Sequence, residues 1–481
     1  MSIVKEFGAA QTLLSLIEFN RDFIMNLFNL ESRFLTKSVE FFFNFRLSFF
    51  LLICFILGGT SQNVVAPKLV LYFISSLIIG ICLSVLNQES RFWRLKSMNI
   101  MLGSFLILHL LYLIPIPPDI WSSLPGRSFI AKGYLTIGSD LPWLPLSVTP
   151  EKSFYSLFDF LPPIALILMM GTIVKAQEMR WALGTISIFV IFLALLGLIQ
   201  KADLSDNFYF YRMTNRNSAV GFFSNANHYG LFLLMALPLI MCLTFISREV
   251  YKQRSAITLT LSGVCILSVL IGVGLSGSLG GFIFIIPVLI ATLFIWTSGQ
   301  GRLVFYGIGI LGPLIAALLL DMFLWGNLQS EALNKLSSTH SLDRHTYFAN
   351  TMELAKSFFP VGSGPGSFAD VYKIVEEATW KTVPHAHNDY IEIYSEFGVL
   401  GLTWMLFAFF WVLNNIRKAF YRDNNIGKIS KFFSISITVV LIYSMFDYSL
   451  RTLSVMTFFV FCLCVLTLSN QGVAMLEEES D

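Results

Sequence analysis

Two apolar runs decide the fold class: AITLTLSGVCILSVLIGVG at residues 256–274 and LGGFIFIIPVLIATLFIWT at residues 279–297. Neither run contains a charged residue, and only the segment LSGS separates them. A helix of about twenty apolar residues is long enough to span the hydrocarbon core of a bilayer. The stretch therefore predicts two membrane-spanning helices joined by a tight turn.

The rest of the chain is equally poor in charge. Of its 481 residues, 55% are hydrophobic and 13% are charged, whereas a soluble globular chain carries about a quarter charged residues. We predict an all-α, polytopic membrane protein with about twelve transmembrane helices and no separate soluble domain. The net charge of +2 and the lack of a basic run argue against a nucleic-acid partner. The apolar blocks lie at 47–58, 68–86, 99–115, 155–174, 181–199, 228–246, 256–274, 279–297, 303–322, 390–413, 432–447 and 452–469.

The basic residues of the short loops predict the orientation, because cytoplasmic loops collect Lys and Arg. One set of loops is dense in these residues and should be cytoplasmic. For a protein of the bacterial inner membrane, this orientation also places both termini in the cytoplasm. We expect a cytoplasmic N-terminal segment at 1–46, a transmembrane domain at 47–469 and a cytoplasmic tail at 470–481. The dense set comprises Arg91, Arg94, Lys96, Lys175, Arg180, Arg248, Lys252, Arg254, Arg302, Arg417, Lys418, Arg422, Lys428 and Lys431.

Three loops on the opposite, periplasmic side are long. They lie at 116–152, 200–227 and 323–389. The third belongs to the transmembrane domain and should form a small cap of its own. Asp343 is suited to cap a helix over 344–358, and Pro360 ends that helix. A Gly-rich turn follows over 361–368, and a second short helix is expected over 367–379.

The sharpest cluster of reactive side chains is Pro384-His385-Ala386-His387-Asn388-Asp389, directly before the block at 390–413. If the helix begins near Asn388, His387 lies at its N-terminus, where the helix dipole disfavours an imidazolium. A neutral imidazole is the form that acts as a general base. The alternative is a histidine that caps the helix at the membrane interface. A zinc site is a weaker alternative, because no cysteine or carboxylate stands at a familiar spacing.

Arginines in the outer loops form a second group. Arg212, Arg216 and Arg344 share the predicted periplasmic side, and guanidinium groups bind phosphate in a bidentate manner. Facing a membrane they suit a lipid diphosphate, although contact with lipid headgroups explains any single one of them. No Asp-x-Asp pair occurs in the first outer loop. We therefore predict charge stabilisation by arginine, with no metal and no cofactor.

With these residues in view, the chain resembles the O-antigen ligase and polymerase superfamily. The family has a His-Asn-x9-Gly-x-x-Gly signature, a Gly-x-Gly-x-Gly-x-Phe turn, and arginines in two outer loops. One of these loops has its Arg at the start of the loop helix, and the other has its Arg in an Arg–Gly–Phe–Asn-x-Asn segment. An acidic residue and then a basic residue precede the last helix of the family. The matching residues here are His387-Asn388 with Gly398 and Gly401, Gly362 to Phe368, Arg344, Arg216 with Gly221-Phe222 and Asn225-Ala226-Asn227, and Asp447 with Arg451.

The resemblance implies a metal-independent, inverting transferase of the integral-membrane glycosyltransferase type. The donor would be a glycan on undecaprenyl diphosphate, and the acceptor would be the lipid A core in a ligase or a lipid-linked glycan in a polymerase. His387 would take the proton of the acceptor hydroxyl, and Arg344 with Arg216 would hold the diphosphate. His385, Asn388 and Arg451 would be further substrate-binding residues, and Glu392 and Glu396 would orient His387 or an arginine, or lie at the interface without such a role.

Two departures from the family pattern leave roles open. The interval from Arg216 to Gly221 is longer than expected, so that Arg212 competes for the diphosphate role. The turn at Gly277-Ser278 lacks the Arg that often follows such a Ser. Three alternative functions also stay open: ligase against polymerase, protein O-oligosaccharyltransferase, and a small-anion transporter of the same fold.

Overall fold

The computed structural model describes residues 45–61, 65–88, 90–202, 206–251, 256–298, 339–376 and 383–472. These residues confirm the all-α, polytopic fold. Nine helices among them are long and apolar enough to cross a membrane. The helices are α1 (Arg46–Leu57), α2 (Val65–Ser84), α3 (Lys96–Leu111), α4 (Pro118–Trp121), α5 (Ser128–Thr136), α6 (Pro150–Ser156), α7 (Leu161–Thr172), α8 (Ala176–Lys201), α9 (Ala226–Phe245), α10 (Ala256–Ser276), α11 (Leu279–Thr297), α12 (Thr339–Ser357), α13 (Phe368–Val371), α14 (Asp389–Phe420), α15 (Asn425–Tyr443) and α16 (Leu453–Asn470).

The nine spans overlap nine of the predicted apolar blocks, and α6 and α7 together form one of these spans, Pro150–Thr172. Two further blocks form shorter helices: α1 has 12 residues and α3 has 16. The block at 303–322 lies outside the described residues, as do most of the predicted N-terminal segment and C-terminal tail. A two-stranded antiparallel sheet in the first outer loop joins β1 (Pro115–Ile116) to β2 (Leu144–Pro145).

Helix α9 lies at the centre of the bundle. Nearly all of its residues are buried, and it packs against α8, α10, α11 and α15. A helix that is apolar around its whole circumference is expected to be enclosed by other helices. This position makes the N-terminus of α9 a fixed point for the loops that meet there.

The predicted outer loops meet at one end of the bundle, which we call the capped end. There the backbone N–H of Ser224 donates to the Gly59 carbonyl at 2.9 Å, and that of Val148 donates to the Ser363 carbonyl at 2.9 Å. Alternating membrane crossings require this grouping. The loop charges predict that the capped end faces the periplasm.

The predicted cytoplasmic loops meet at the other end. Arg46 Nη2 donates to the Ile173 carbonyl at 2.8 Å, and Arg422 Nη1 donates to the Ser469 carbonyl at 2.6 Å. These arginines satisfy carbonyls that the ends of helices leave without an intrahelical partner. The basic loop residues therefore also join the helix ends to one another.

The described part of the cap begins with α12, which overlaps the helix predicted over 344–358 but begins earlier, at Thr339, so Asp343 lies inside the helix and the prediction that it is the N-cap is wrong. The second predicted helix is shorter than expected, because α13 is followed only by a 3₁₀ turn at Tyr372–Ile374. The Gly-rich turn lies between them and is hydrogen-bonded to α14. The N–H of Ser363 donates to the Ser395 carbonyl at 3.1 Å, and that of Gly364 donates to the Glu396 carbonyl at 2.8 Å.

Helix α14 is interrupted at Gly398, and the Gly-rich turn packs against this break. Gly398 has φ 57° and ψ −138°, a conformation that glycine reaches at low cost because it lacks a Cβ. The N–H of Val399 donates to the Pro360 carbonyl at 2.9 Å instead of continuing the helix. The Gly-rich turn and the break at Gly398, which are distant in sequence, thus form one backbone junction.

The first outer loop is anchored on the same junction. Tyr112 Oη donates to the Phe397 carbonyl at 2.9 Å, and Arg127 Nη2 donates to the Gly362 carbonyl at 2.9 Å. Arg127 is only 1% exposed. Burial lowers the pKa of Arg127 to about 10, so the guanidinium stays charged at neutral pH and bridges both loops.

We predict that Gly398→Ala destabilises the protein. A Cβ at this position would overlap the Pro360 carbonyl oxygen, and the backbone conformation alone costs about 1–3 kcal/mol for a residue with a side chain. Thermal unfolding in detergent would measure the loss. Gly80→Ala in α2 is the matched control, because a Cβ there meets nothing within 4 Å. An equal melting temperature for the two variants would contradict the prediction.

Candidate functional site

Helix α14 begins where the sequence predicted. Asn388 is its N-cap, and the Asn388 side-chain oxygen accepts from the N–H groups of Tyr390 at 3.0 Å and Ile391 at 3.1 Å. Asn388 Nδ2 donates to the Met445 carbonyl at 2.9 Å. His387 lies one residue before the cap and has φ 52°. The cap and this left-handed backbone together set the direction of the His387 ring.

His387 faces the carboxylate of Asp447. Its Nδ1 lies 3.3 Å from Asp447 Oδ1, with the His387 side chain 23% exposed and the Asp447 side chain 1% exposed. The approach is a close polar contact that does not meet the geometry of a hydrogen bond. Contacts of this kind commonly tighten once substrate is bound. The pair couples a partly accessible imidazole to a buried acid.

Asp447 is held by several donors. The N–H of Tyr448 donates to Asp447 Oδ1 at 2.9 Å, and Asn227 Nδ2 donates to Asp447 Oδ2 at 2.7 Å. His228 Nε2 lies 3.9 Å from Asp447 Oδ1. Because hydrogen bonds to a carboxylate favour its ionised form, these contacts suit a charged Asp447.

The ring of Tyr448 lies among three histidines. Its centroid is 4.5 Å from that of His385, 4.8 Å from that of His387 and 4.9 Å from that of His228. Burial, followed by the Asp447 carboxylate, raises the pKa of the Tyr448 hydroxyl above its usual range. Tyr448 is therefore a neutral ring that fixes the imidazole positions.

A second charged cluster lies beside this ring. His385 Nδ1 is 2.9 Å from Glu392 Oε1. Arg451 Nε is 3.4 Å from the same oxygen, and Arg451 Nη2 is 2.9 Å from Glu396 Oε2. Burial acts to lower the pKa of Arg451, but Glu396, Glu392 and Asp389 raise it more, and the net pKa lies above its usual range. Arg451 is thus a permanent cation that holds the first turns of α14.

Four helix N-termini converge on this region: α9, α11, α14 and α16. Side chains of Asn225, Ser278 and Asn388 accept from the first turns of α9, α11 and α14. Thr452, the residue before α16, has its Oγ1 2.7 Å from His228 Nδ1. The N-terminal end of a helix dipole favours negative charge. The arrangement therefore suits both a buried carboxylate and an anionic substrate.

The part of the chain that comparison with known families singles out runs from α10 through α11 and the cap into α14. Residues 263–406 match the family model for O-antigen ligase. This match supports the O-antigen ligase and polymerase superfamily that the His387-Asn388 signature predicted, and it confirms that prediction. A search of curated proteins found no match.

The O-antigen ligase match contains only part of the cluster. It includes His385, His387 and both glutamates, together with the Gly-rich turn and the α14 break. Asn227, Asp447 and Arg451 lie outside the matched residues. The tertiary structure brings these three side chains to the matched segment.

The predicted diphosphate arginines lie in two places. Arg212 and Arg216 are exposed in the loop before α9, and the Arg216 guanidinium is 5.9 Å from the centroid of the Tyr209 ring. Asn215 ties this loop to α9, because its side-chain oxygen accepts from the Ala226 N–H at 2.9 Å. Arg344 lies in α12, and its side chain is outside the described residues.

The sequence predicted His387 as a site residue but did not predict the side chains that surround it. Asp447 was noted only through the family resemblance, and the partners of Glu392 were left open. The structure brings Glu392 and Glu396 to Arg451, and Glu392 also to His385. Within the described residues, no group of three His, Cys, Asp or Glu side chains is arranged to hold a metal.

Proposed function

We propose that the protein transfers a glycan from undecaprenyl diphosphate to a sugar hydroxyl at the capped end, on the periplasmic face of a bacterial inner membrane. Glycan transfer of the O-antigen ligase or polymerase type is supported by the family match. The donor lipid, the acceptor and the residue roles are our proposal.

The contact between His387 and Asp447 carries the proposal. With Nδ1 turned to the carboxylate at 3.3 Å, Nε2 is the ring nitrogen that keeps a free lone pair. Nε2 takes the proton of the acceptor hydroxyl while the hydroxyl oxygen bonds to the anomeric carbon of the donor glycan. The bond from that carbon to the diphosphate oxygen breaks, and the lipid diphosphate leaves with the electron pair. Attack opposite the leaving group inverts the anomeric configuration.

The charges at the capped end support the same assignment of roles. Asp447 stabilises the imidazolium that forms on His387, as a buried carboxylate does for a catalytic histidine. Arg344 and either Arg216 or Arg212 compensate the charge that develops on the diphosphate. We propose that arginine, without a metal, supplies this stabilisation.

Reconstitution tests the function. The purified protein in proteoliposomes receives an undecaprenyl-diphosphate-linked glycan and one of three acceptors: lipid A core, a second lipid-linked glycan, or an acceptor protein. We expect product with one acceptor class, and we expect a metal chelator to leave its amount unchanged. The acceptor that is used distinguishes a ligase from a polymerase and from a protein glycosyltransferase. Lack of transfer to all three acceptors, or uptake of the glycan into the vesicles without transfer, would overturn the proposal.

We predict that Arg344→Ala lowers kcat/KM for the lipid-linked donor by about 10- to 100-fold, because a hydrogen bond to a charged group contributes about 1.5–3 kcal/mol. Arg344→Lys restores only part of the loss, since lysine lacks the bidentate geometry. Lys356→Ala, in the last turn of the same helix, is the matched control. Equal donor kinetics in the Arg344 and Lys356 variants would remove Arg344 from the site.

Arg212 and Arg216 are separated by the same measurement. We expect one of the two alanine variants to lower kcat/KM for the donor by about 10-fold or more, and the other to change it little. Because Asn215 is anchored to the first residue of α9, we propose Arg216 as the sensitive residue. A loss confined to Arg212→Ala would reverse the assignment, and unchanged kinetics in both would exclude this loop from donor binding.

A further inference from the structure

A row of hydrogen-bonded side chains leads from the interior of the bundle to Asp447. Ser278, the N-cap of α11, has its Oγ 2.8 Å from Asn227 Oδ1. Asn227 Nδ2 is 2.7 Å from Asp447 Oδ2. Ser278 and Asp447 are 2% and 1% exposed. The two ends of the row are therefore buried, and Asn227 between them is half-buried.

The donors and acceptors of this row can be assigned. The N–H of Gly281 donates to Ser278 Oγ at 3.1 Å, which occupies one lone pair of the hydroxyl. Ser278 Oγ also lies 3.0 Å from the Tyr443 hydroxyl, which can donate to it, so the Ser278 proton is left to donate to Asn227 Oδ1, an acceptor only. This fixes which end of the Asn227 amide faces Asp447, because the opposite orientation would place an oxygen against the carboxylate. Asn227 is consequently a donor to Asp447 Oδ2.

We propose that Asn227 and Ser278 are positioning residues of the transfer reaction. They keep Asp447 ionised and turned toward His387, although neither contacts His387 in the described structure. The proposal rests on the proposed function for its kinetic consequence. Its electrostatic consequence, an effect on the charge state of His387, does not depend on which glycan is transferred.

The surroundings of His387 determine what the test must distinguish. Asp447 lies 3.3 Å from His387 Nδ1, and the rings of Tyr448 and Tyr347 lie 4.8 Å and 5.8 Å from the imidazole. His385 and His228 contact other sides of Tyr448. The Arg451 cluster with Glu392, Glu396 and Asp389 lies beyond His385. Substitutions at Asn227 act on this set through Asp447.

Two substitutions at Asn227 should move the titration of His387 in opposite directions. Asn227→Ala removes the donor, so Asp447 is less firmly ionised and the pKa of His387 falls. Asn227→Asp places a second carboxyl against Asp447, and the pair shares one proton at low pH. As pH rises the pair approaches two negative charges, which raises the pKa of His387. We expect shifts of about one pH unit.

The midpoint of the His387 titration is measured from the pH dependence of its modification by diethyl pyrocarbonate, which reacts with the neutral imidazole. Tandem mass spectrometry of the full-length protein in detergent separates His387 from His385. Asn415→Asp is the matched control, because Asn415 is a 6%-exposed asparagine whose Oδ1 accepts from Asn470 Nδ2 at 3.3 Å toward the other end of α14. If Asn227 had only a structural role, the His387 midpoint would move in the same direction in both Asn227 variants or would move in neither. Either result would overturn the proposal.

Kinetics provide the second readout. Asn227→Ala should lower kcat by up to about 100-fold, as expected when a catalytic group is misplaced, while leaving the donor KM unchanged. Asn227→Asp should lose activity at low pH and regain it only at a higher pH than the wild type, because the raised pKa of His387 keeps the imidazole protonated and a protonated imidazole cannot act as the base. Ser278→Ala should act like a weaker Asn227→Ala, and Ser278→Thr should restore the rate.

The two proposals fail in different ways. If the wild-type protein transfers no glycan, the proposed function is wrong, and the opposite shifts of the His387 midpoint still test the positioning role. If the wild type transfers glycan while both Asn227 variants keep its kcat and its His387 midpoint, the positioning role is wrong and the function stands.

Discussion

Replacing His387 with asparagine should reduce glycan transfer by about 10²- to 10⁴-fold, the range for loss of a general base. Asparagine is the right substitution because His387 has φ 52°, and Asn tolerates this left-handed conformation better than most residues. The variant should therefore keep the start of α14 and accumulate in the membrane like the wild type. Transfer is measured in proteoliposomes at saturating donor.

Two comparisons make this result specific. Imidazole added to His387→Asn should restore part of the rate, since it supplies the missing base. His340→Asn, in the same predicted outer loop, should transfer at the wild-type rate because the proposal gives His340 no role. A His387→Asn rate within about threefold of wild type would exclude His387 as the base, since a general base contributes far more.

Replacing Arg451 with methionine should cost about 3 kcal/mol of stability, the lower part of the range for removing one partner of a buried ion pair. The substitution leaves Glu392 and Glu396, each 1% exposed, without their cation. We place the effect at the lower end because a quarter of the Arg451 side chain is exposed, 25%. The loss is measured by thermal unfolding in detergent.

A matched surface pair is the control for Arg451. Lys373 contacts Asp370 at 3.0 Å, with the two side chains 62% and 38% exposed. Lys373→Met should therefore change stability by less than about 1 kcal/mol. Adding Glu396→Gln to Arg451→Met should recover part of the loss, because the two residues interact directly. Equal melting temperatures for the Arg451 and Lys373 variants would show that the cluster is not a stability element.

The membrane helices could be predicted closely because their signal is local. A run of about twenty apolar residues has few structures open to it in a bilayer, since every backbone polar group must be paired within the segment. The helix α11, which is Leu279–Thr297, has the bounds of its predicted block. Short or irregular elements were predicted less well, as the second cap helix shows, because their ends depend on contacts with other segments.

The candidate site was predicted in part. The His387-Asn388 signature placed a histidine before a helix, and Asn388 caps that helix through local hydrogen bonds. The carboxylate facing His387 could not be deduced in this way. Asp447 is sixty positions away and looks like an ordinary interfacial acid in the sequence. Glu392 and Glu396 have helical spacing, but nothing in that spacing says that Arg451 is their partner.

By itself, the sequence determined the fold class, the positions of the described spans, the segment that carries the histidines and the family similarity that this segment indicates. These properties follow from apolar length, charge density and short-range spacing. Only the tertiary structure decided that Asp447 faces His387, that Asn227 and Ser278 stand behind Asp447, and that the Gly-rich turn fits the break at Gly398. The physical reason is that these contacts depend on how helix ends meet across the bundle, and packing of whole helices sets those meetings rather than the residues adjacent in the chain.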